Sequence, residues 1–213
     1  MPVLVLAEHD THMCKDTTLP TVMAACHISM YFDGQIHVLV VGHQMRAVQE
    51  QVASINGVSK VLVADAPHLA SGMRDNIAAQ LIAVVRAGNY SHILFAASKT
   101  GRNAARDLAD RLGVAAIGDI RRVLSSHTFE CDEQAGKGKG KSPFNAATQI
   151  LTVCTTAFEA AQAEGGIGPI EWLQPVPAMA PCKETTSWHF SECVSRKFAH
   201  MRPSTAIWPS FAT

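Results

Sequence analysis

The sequence has no C-x-x-C pair, no excess of charge of either sign and no long apolar run, and each lack excludes a class of protein. Eighteen basic residues balance eighteen acidic ones, so no global field draws the chain to nucleic acid or to a membrane surface. The longest apolar stretches, such as residues 38–41 and 93–97, fall far short of the ~20 residues that a bilayer-spanning helix needs. The first apolar run carries no charged leader and soon reaches Glu8, which predicts no secretory signal. The six cysteines, Cys14, Cys26, Cys131, Cys154, Cys182 and Cys193, are scattered. A chain of 213 residues can bury a core of its own without covalent staples, so these thiols predict a reducing compartment.

What the sequence does contain is one unit, repeated. Residues 90–119 read YSHILFAASKTGRNAARDLADRLGVAAIGD. Ile93, Leu94, Phe95, Ala96 and Ala97 run without alternation, as a strand covered on both faces does. Ser98-Lys99-Thr100-Gly101 is a polar turn. Over residues 102–112, Ala105, Leu108, Ala109 and Leu112 recur at helical spacing while Arg106, Asp107, Asp110 and Arg111 face outward. Gly113 ends the helix.

The same step occurs upstream. Residues 3–7 are an apolar strand, and Thr18-Leu19-Pro20 opens a helix with Thr18 as its cap and Val22, Ala25, Cys26 and Ser29 on its inner face. Residues 35–41 are a second strand, with a helix over 44–55. Residues 60–64 are a third strand, and the helix over 72–87 shows a stripe of Ile77, Leu81, Val84 and Val85. Four alternations predict an α/β fold with a mostly parallel, doubly wound, nucleotide-binding-like sheet. Ligands of such sheets sit beyond the C-terminal strand ends. That edge carries Glu8, His9, Gly42, His43, Asp65 and residues 98–103.

Past Asp119 the pattern changes. Residues 120–124 and 127–131 read as short strands, residues 132–143 as a glycine- and lysine-rich loop, and residues 149–155 as a good strand. From Gly165 on there is no helical or sheet unit, and residues 183–213 show no periodicity. The predicted organisation is one α/β domain over residues 1–163 and an irregular tail over 164–213.

Three constellations are candidates for chemistry. Gly136-Lys137-Gly138-Lys139-Gly140-Lys141-Ser142 imitates a phosphate-binding loop, but Ala135 stands where the first glycine belongs and Pro143 follows where a helix should start, so it reads as a solvated basic loop. Cys182, His189, Cys193 and His200 supply zinc-type donors at a C-x6-H-x3-C-x6-H spacing that matches no standard module, which favours chance clustering. Lys99, Gly101, Arg102 and Asn103 lead into a helix N-terminus close to Glu8, where free backbone donors favour an anion or nucleotide. The competing reading has Thr100 capping that helix and the two cations solvated. No catalytic set emerges, because nothing ties candidates together in space.

Residues 3–10 (VLVLAEHD), residues 37–65 (HVLVVGH…GVSKVLVAD) and residues 90–120 together resemble the N-terminal domain of the electron transfer flavoprotein alpha subunit. QILTVCTTAFEAA at residues 149–161 resembles the strand that closes that domain. The resemblance is collinear over about three quarters of the chain. It implies an electron carrier subunit rather than a catalyst, paired with a beta subunit that binds an adenylate. It further implies FAD, held mostly by a second domain of the alpha subunit. Electrons would pass from acyl-CoA and related dehydrogenases of fatty acid beta-oxidation to a quinone oxidoreductase. The implied compartment is the mitochondrial matrix in a eukaryote and the cytoplasm in a bacterium.

Departures from the family pattern also set expectations. Residues 131–146 replace a stretch that usually reads R-P-x-Y-A-G-N-A, keeping only Asn145-Ala146. Cys154 stands where the pattern has an arginine. No glycine-rich flavin fingerprint follows Ala161, and nothing from about Pro175 resembles the family. The expected protein is therefore a truncated alpha-type subunit that docks a beta subunit and holds FAD weakly or not at all. The alternatives are a small nucleotide-binding protein of the same topology and a product that does not fold stably.

Overall fold

The computed structural model describes residues 1–10, 12–70, 74–131 and 148–178. In these residues the strands are β1 (Val3–Leu6), β2 (Ile36–Gly42), β3 (Lys60–Asp65), β4 (His92–Ala96), β5 (Ala116–Ser125), β6 (Thr128–Cys131), β7 (Gln149–Val153) and β8 (Ile170–Trp172). The α-helices are α1 (Thr18–Ser29), α2 (Arg46–Ala53), α3 (Arg74–Gly88) and α4 (Lys99–Leu112). All strands join one sheet in the order β6-β5-β7-β4-β1-β2-β3-β8, and every pairing is parallel except β5 with β6.

The unbroken apolar strands follow from two cores, one on each face. Val3 and Val5 of β1, Val38 and Val40 of β2 and Leu94 of β4 pack with α1 and α2 through Val22, Ile28, Val48 and Val52. Their sequence neighbours Leu4, Leu39, Ile93 and Phe95 point the other way, to Leu81, Val85, Leu108 and Ala109 of α3 and α4. Each strand is thus apolar at consecutive positions because alternate side chains enter different cores. The α1/α2 face changes to the α3/α4 face where the chain turns back from β3 to lay β4 beside β1. That is the topological switch point of the sheet.

Several local expectations are corrected by longer contacts. Thr18 is not the cap of α1. Thr17 holds the cap position without a capping bond from its side chain, and the Thr18 hydroxyl is engaged with the Glu8 backbone, taking its N–H and donating to its carbonyl, each at 3.1 Å. Nor does Thr100 cap α4, which starts at Lys99 with Ser98 as cap, the Ser98 Oγ accepting the Gly101 N–H at 2.9 Å. Gly113 ends α4 in the left-handed conformation at φ 67°, as its sequence position indicates.

Past Gly165, where no sheet unit was expected, β8 forms. It pairs with β3 through Val61, Leu62 and Val63, while all three of its residues stay exposed. Apolar patterning could not reveal a strand held by backbone bonds at a sheet edge. The residues leading into it and out of it are tied down at several points. Gly166 and Gly168 N–H groups cap the last carbonyls of α2 at Ser54 and Ala53, at 2.8 and 3.1 Å. Beyond β8, His68 Nε2 donates to the Val176 carbonyl at 2.7 Å, and Val176 N–H donates to Gln80 Oε1 at 2.7 Å. Residues 162–176 therefore form a strap around α2, β3 and α3.

The glycine- and lysine-rich loop and the Cys182, His189, Cys193 and His200 set lie outside the described residues.

Candidate functional site

The switch point brings together the ends of β1 and β4, and with them Glu8 and Ser98. Glu8 is nearly buried, at 9% exposure. Its Oε1 accepts the Ser98 hydroxyl, and its Oε2 accepts the Thr17 hydroxyl at 2.9 Å. The Ser98 oxygen in turn caps α4. Gly101 lies against this group so closely that a Cβ there would stand 2.1 Å from the Ala96 carbonyl oxygen and 3.2 Å from Glu8 Oε1. The crevice where a doubly wound sheet takes its ligand is thus closed by a carboxylate from the chain itself. That carboxylate sits where an anion would meet the positive end of α4.

Arg102, one of the proposed anion ligands, turns to β5. Its guanidinium makes a forked contact with Asp119, Nη2 to Oδ2 at 2.7 Å and Nε to Oδ1 at 3.1 Å. Thr152 on β7 donates its hydroxyl to Asp119 Oδ1 at 2.8 Å and accepts the Asp119 N–H at 2.7 Å. Asp119 adopts a left-handed φ of 46°, which aspartate tolerates better than most residues. The bonded guanidinium holds the Asp119 carboxyl below the ordinary carboxylate range, against the opposing effect of burial. Cys154, at the end of β7, directs its Sγ to Thr156 Oγ1 at 3.4 Å.

A third carboxylate closes the next loop along. Burial alone would raise the Asp65 carboxyl, but the N–H groups of Met45 and Gln44 and the His43 ring together outweigh it, and the net shift is downward. Those contacts are 3.0, 2.9 and 3.2 Å long. They hold Gln44 at φ 58° and fix the turn into α2. His9 Nε2 meets the Val41 carbonyl at 3.1 Å, which ties the loop after β1 to β2.

Of the residues singled out from sequence, Glu8 and Gly101 are therefore together, Arg102 is committed to Asp119, and Lys99 is exposed while Asn103 is half-buried. Sequence reasoning put Ser98 on the predicted edge without its role as cap and partner of Glu8, and it missed Thr17, Asp119 and Thr152. Ser98 had a readable signal as the residue between a strand and a helix, three before a glycine. Asp119 and Thr152 had none, because their partnership spans 33 residues. A separate cleft of about 280 Å³ lies between the start of α1 and the end of α2, lined by Cys14, Lys15, Gln51 and Glu164 among others. It mixes one cation with carboxylates and converges on no point. Among the described residues, no group of three or more His, Cys, Asp or Glu could hold a metal ion.

A sequence model described as "Electron transfer flavoprotein domain" matches residues 3–177. The chain belongs to the electron transfer flavoprotein family. Among its relatives, the electron transfer flavoprotein subunit alpha of Pseudomonas aeruginosa is 40% identical over 171 residues, covering 80% of this chain and 53% of that protein. A probable mitochondrial electron transfer flavoprotein subunit alpha of Caenorhabditis elegans is 34% identical, covering 79% of this chain and 49% of the relative. The electron transfer flavoprotein subunit alpha of Paracoccus denitrificans is 32% identical, covering 80% and 53%. The chain thus spans about half the length of the curated relatives it matches.

FAD is the group this electron transfer flavoprotein domain brings to mind, and its switch point does not fit one. A flavin pyrophosphate laid on the α4 N-terminus would meet the Glu8 carboxylate, with the Ser98 hydroxyl and the Gly101 N–H already engaged. Among the described residues, no helix is long and apolar enough to cross a membrane.

Proposed function

We propose that this domain is the docking scaffold of an alpha-type electron transfer flavoprotein subunit, binding a beta-type subunit while its own sheet edge holds no flavin. One observation carries the reading. The ligand crevice of the fold is occupied by the Glu8, Ser98 and Thr17 contacts, which favours a docking surface over a receptive site. The domain then acts as a carrier component, in a route from acyl-CoA and related dehydrogenases to a quinone oxidoreductase. Its residues orient the partner and perform no chemistry. The setting is the mitochondrial matrix if the source is eukaryotic and the cytoplasm if it is bacterial. Residues 1–163 form the α/β body in this proposal, with 164–178 strapped to its edge.

The test is to purify the chain alone and with a beta-type subunit, recording co-elution and the flavin absorption spectrum. The expected result is a colourless chain that co-elutes with the beta-type subunit. A yellow chain in the absence of a partner overturns the claim that this sheet edge holds no flavin. Failure to co-elute overturns docking, and calorimetry with AMP then tests the nucleotide-binding alternative, which requires Glu8 to leave the α4 N-terminus.

A further inference from the structure

At the opposite edge of the sheet, a buried imidazole carries the end of the β5–β6 hairpin. His92, the first residue of β4, is 1% exposed. Its Nε2 donates to the Ser126 carbonyl in the hairpin turn at 2.7 Å. That bond fixes the neutral tautomer and leaves Nδ1 to accept from the Ser91 hydroxyl at 3.0 Å. The ring lies between Phe32, stacked at 5.7 Å, and His127 of the turn, stacked at 6.0 Å, with the Phe129 edge at 6.2 Å. Gln149 of β7 directs its amide N–H to His127 Nδ1 at 2.8 Å.

Side chains hold this part of the hairpin to the body more than sheet pairing does, with Val123 and Cys131 packed half-buried against the core. Among the described residues, β5 pairs with β7 only at Ala116, Ile117 and Ile120. From Arg121 on, its strand partner among the described residues is β6, and Phe129 is the fully buried side chain that the hairpin's second half inserts into the core.

We propose that His92 is an acid-sensitive latch: its neutral ring holds the tip of the β5–β6 hairpin on the sheet, and its protonation releases residues 121–131 as a unit. The Ser126 carbonyl and the Gln149 side chain favour a charged ring, but burial outweighs them both. The neighbours around it are Phe32 before β2, Ser91 beside it, Ser126 and His127 in the turn, Phe129 on β6 and Gln149 on β7. Among the described residues, the titratable side chain whose charge reaches it is His127. A second imidazolium stacked at that distance repels the first. Burial accordingly pushes the His92 ring down to about 4 from its ordinary 6.5. A folded value below the ordinary one means that the closed form has its full advantage above pH ~6.5 and loses it as pH falls toward 4. Release uncovers Phe129 and frees an apolar patch that neutral pH keeps covered.

Hydrogen exchange of the intact chain at pH 7.5 and pH 5.0, each rate divided by the intrinsic rate at that pH, tests the latch. The expected loss of protection at the lower pH is on the order of ten- to thirty-fold for residues 121–131, with little change in β1, β2 and β4. In His92→Gln, whose amide can still donate to Ser126, that pH dependence disappears. Unchanged protection of the hairpin, a loss spread evenly over the sheet, or an undiminished pH response in His92→Gln would each overturn the proposal. The unaltered chain offers a second measurement through the ¹⁵N shifts of its histidine rings. His92 is expected to be an Nε2–H neutral ring at pH 5.0, and protonation there with the hairpin still protected sinks the idea.

Discussion

Gly101 and Arg102 are neighbours at the head of α4, and they matter to the fold in opposite degrees. Any Cβ at 101 runs into the Ala96 main chain, which cannot swing aside as a side-chain tip can, so β4 and α4 must part. Gly101→Ala is expected to cost about 3 kcal/mol of stability, and Ser98→Ala about 1 kcal/mol through the lost cap. The Arg102 contact with Asp119 looks stronger on paper, with its forked geometry. Yet Arg102 is 48% and Asp119 28% exposed, and water and salt screen such a pair. Arg102→Ala is expected to cost under ~1 kcal/mol. Urea unfolding of the three variants checks the ranking, and an Arg102→Ala loss as large as that of Gly101→Ala would refute it.

At the scale of elements, the strap formed by residues 162–176 is the piece most open to disruption. A Cβ on Gly166 would sit 2.2 Å from the Ile55 carbonyl oxygen. Gly166→Ala should therefore lift the strap from α2, remove the caps on Ser54 and Ala53, and strip β8 from β3. Limited proteolysis should then cut within residues 162–176 while the body over residues 1–131 resists. Uniform resistance throughout would show that the strap tolerates the side chain. The same region shows what a sequence can and cannot display. The strands from β1 to β4 were legible because each feeds two cores and so reads as an unbroken apolar run. α3 and α4 were legible from their stripes, and α4 also from the left-handed Gly113 that ends it. β8 was not, since its side chains face solvent and its pairing resides in main-chain atoms that every residue has. The closing of the switch point was half legible: Glu8 and Gly101 stood out. Their mutual exclusion of a ligand depends on Ser98 reaching a residue 90 positions away, which no local spacing encodes.

For the molecule as a whole, two buried rings at the same sheet edge set opposite limits on pH. Burial pushes the Tyr90 hydroxyl up to about 12 from its ordinary 10, where it meets His37 Nδ1 at 3.2 Å. A folded value above the ordinary one gives stability that is full below pH ~10 and lost as pH rises through about 12. On the acid side, His92 contributes stability above pH ~6.5 that fades toward 4. Thermal midpoints measured across pH should show a plateau between those limits. Tyr90→Phe should reduce the alkaline limb alone, leaving the part from the Cys14, Cys26 and Cys131 thiols that burial also pushes up. His92→Gln should reduce the acid limb alone, leaving the part from His37, which burial also pushes down. If either change reduces both limbs, the two rings are not acting independently.

The position of β1 carries a consequence for how the protein is made. It lies in the middle of the sheet, with Val3 set against Ile36 on one side and His92 on the other. A ribosome adding about 5–20 residues per second delivers that second neighbour some 5–20 seconds after β1 itself. Through that interval an uncharged apolar strand waits with one side bare, the condition under which nascent chains associate wrongly with one another. The yield of this protein in a cell should therefore depend on what shelters residues 3–7 during translation as much as on the stability of the finished sheet.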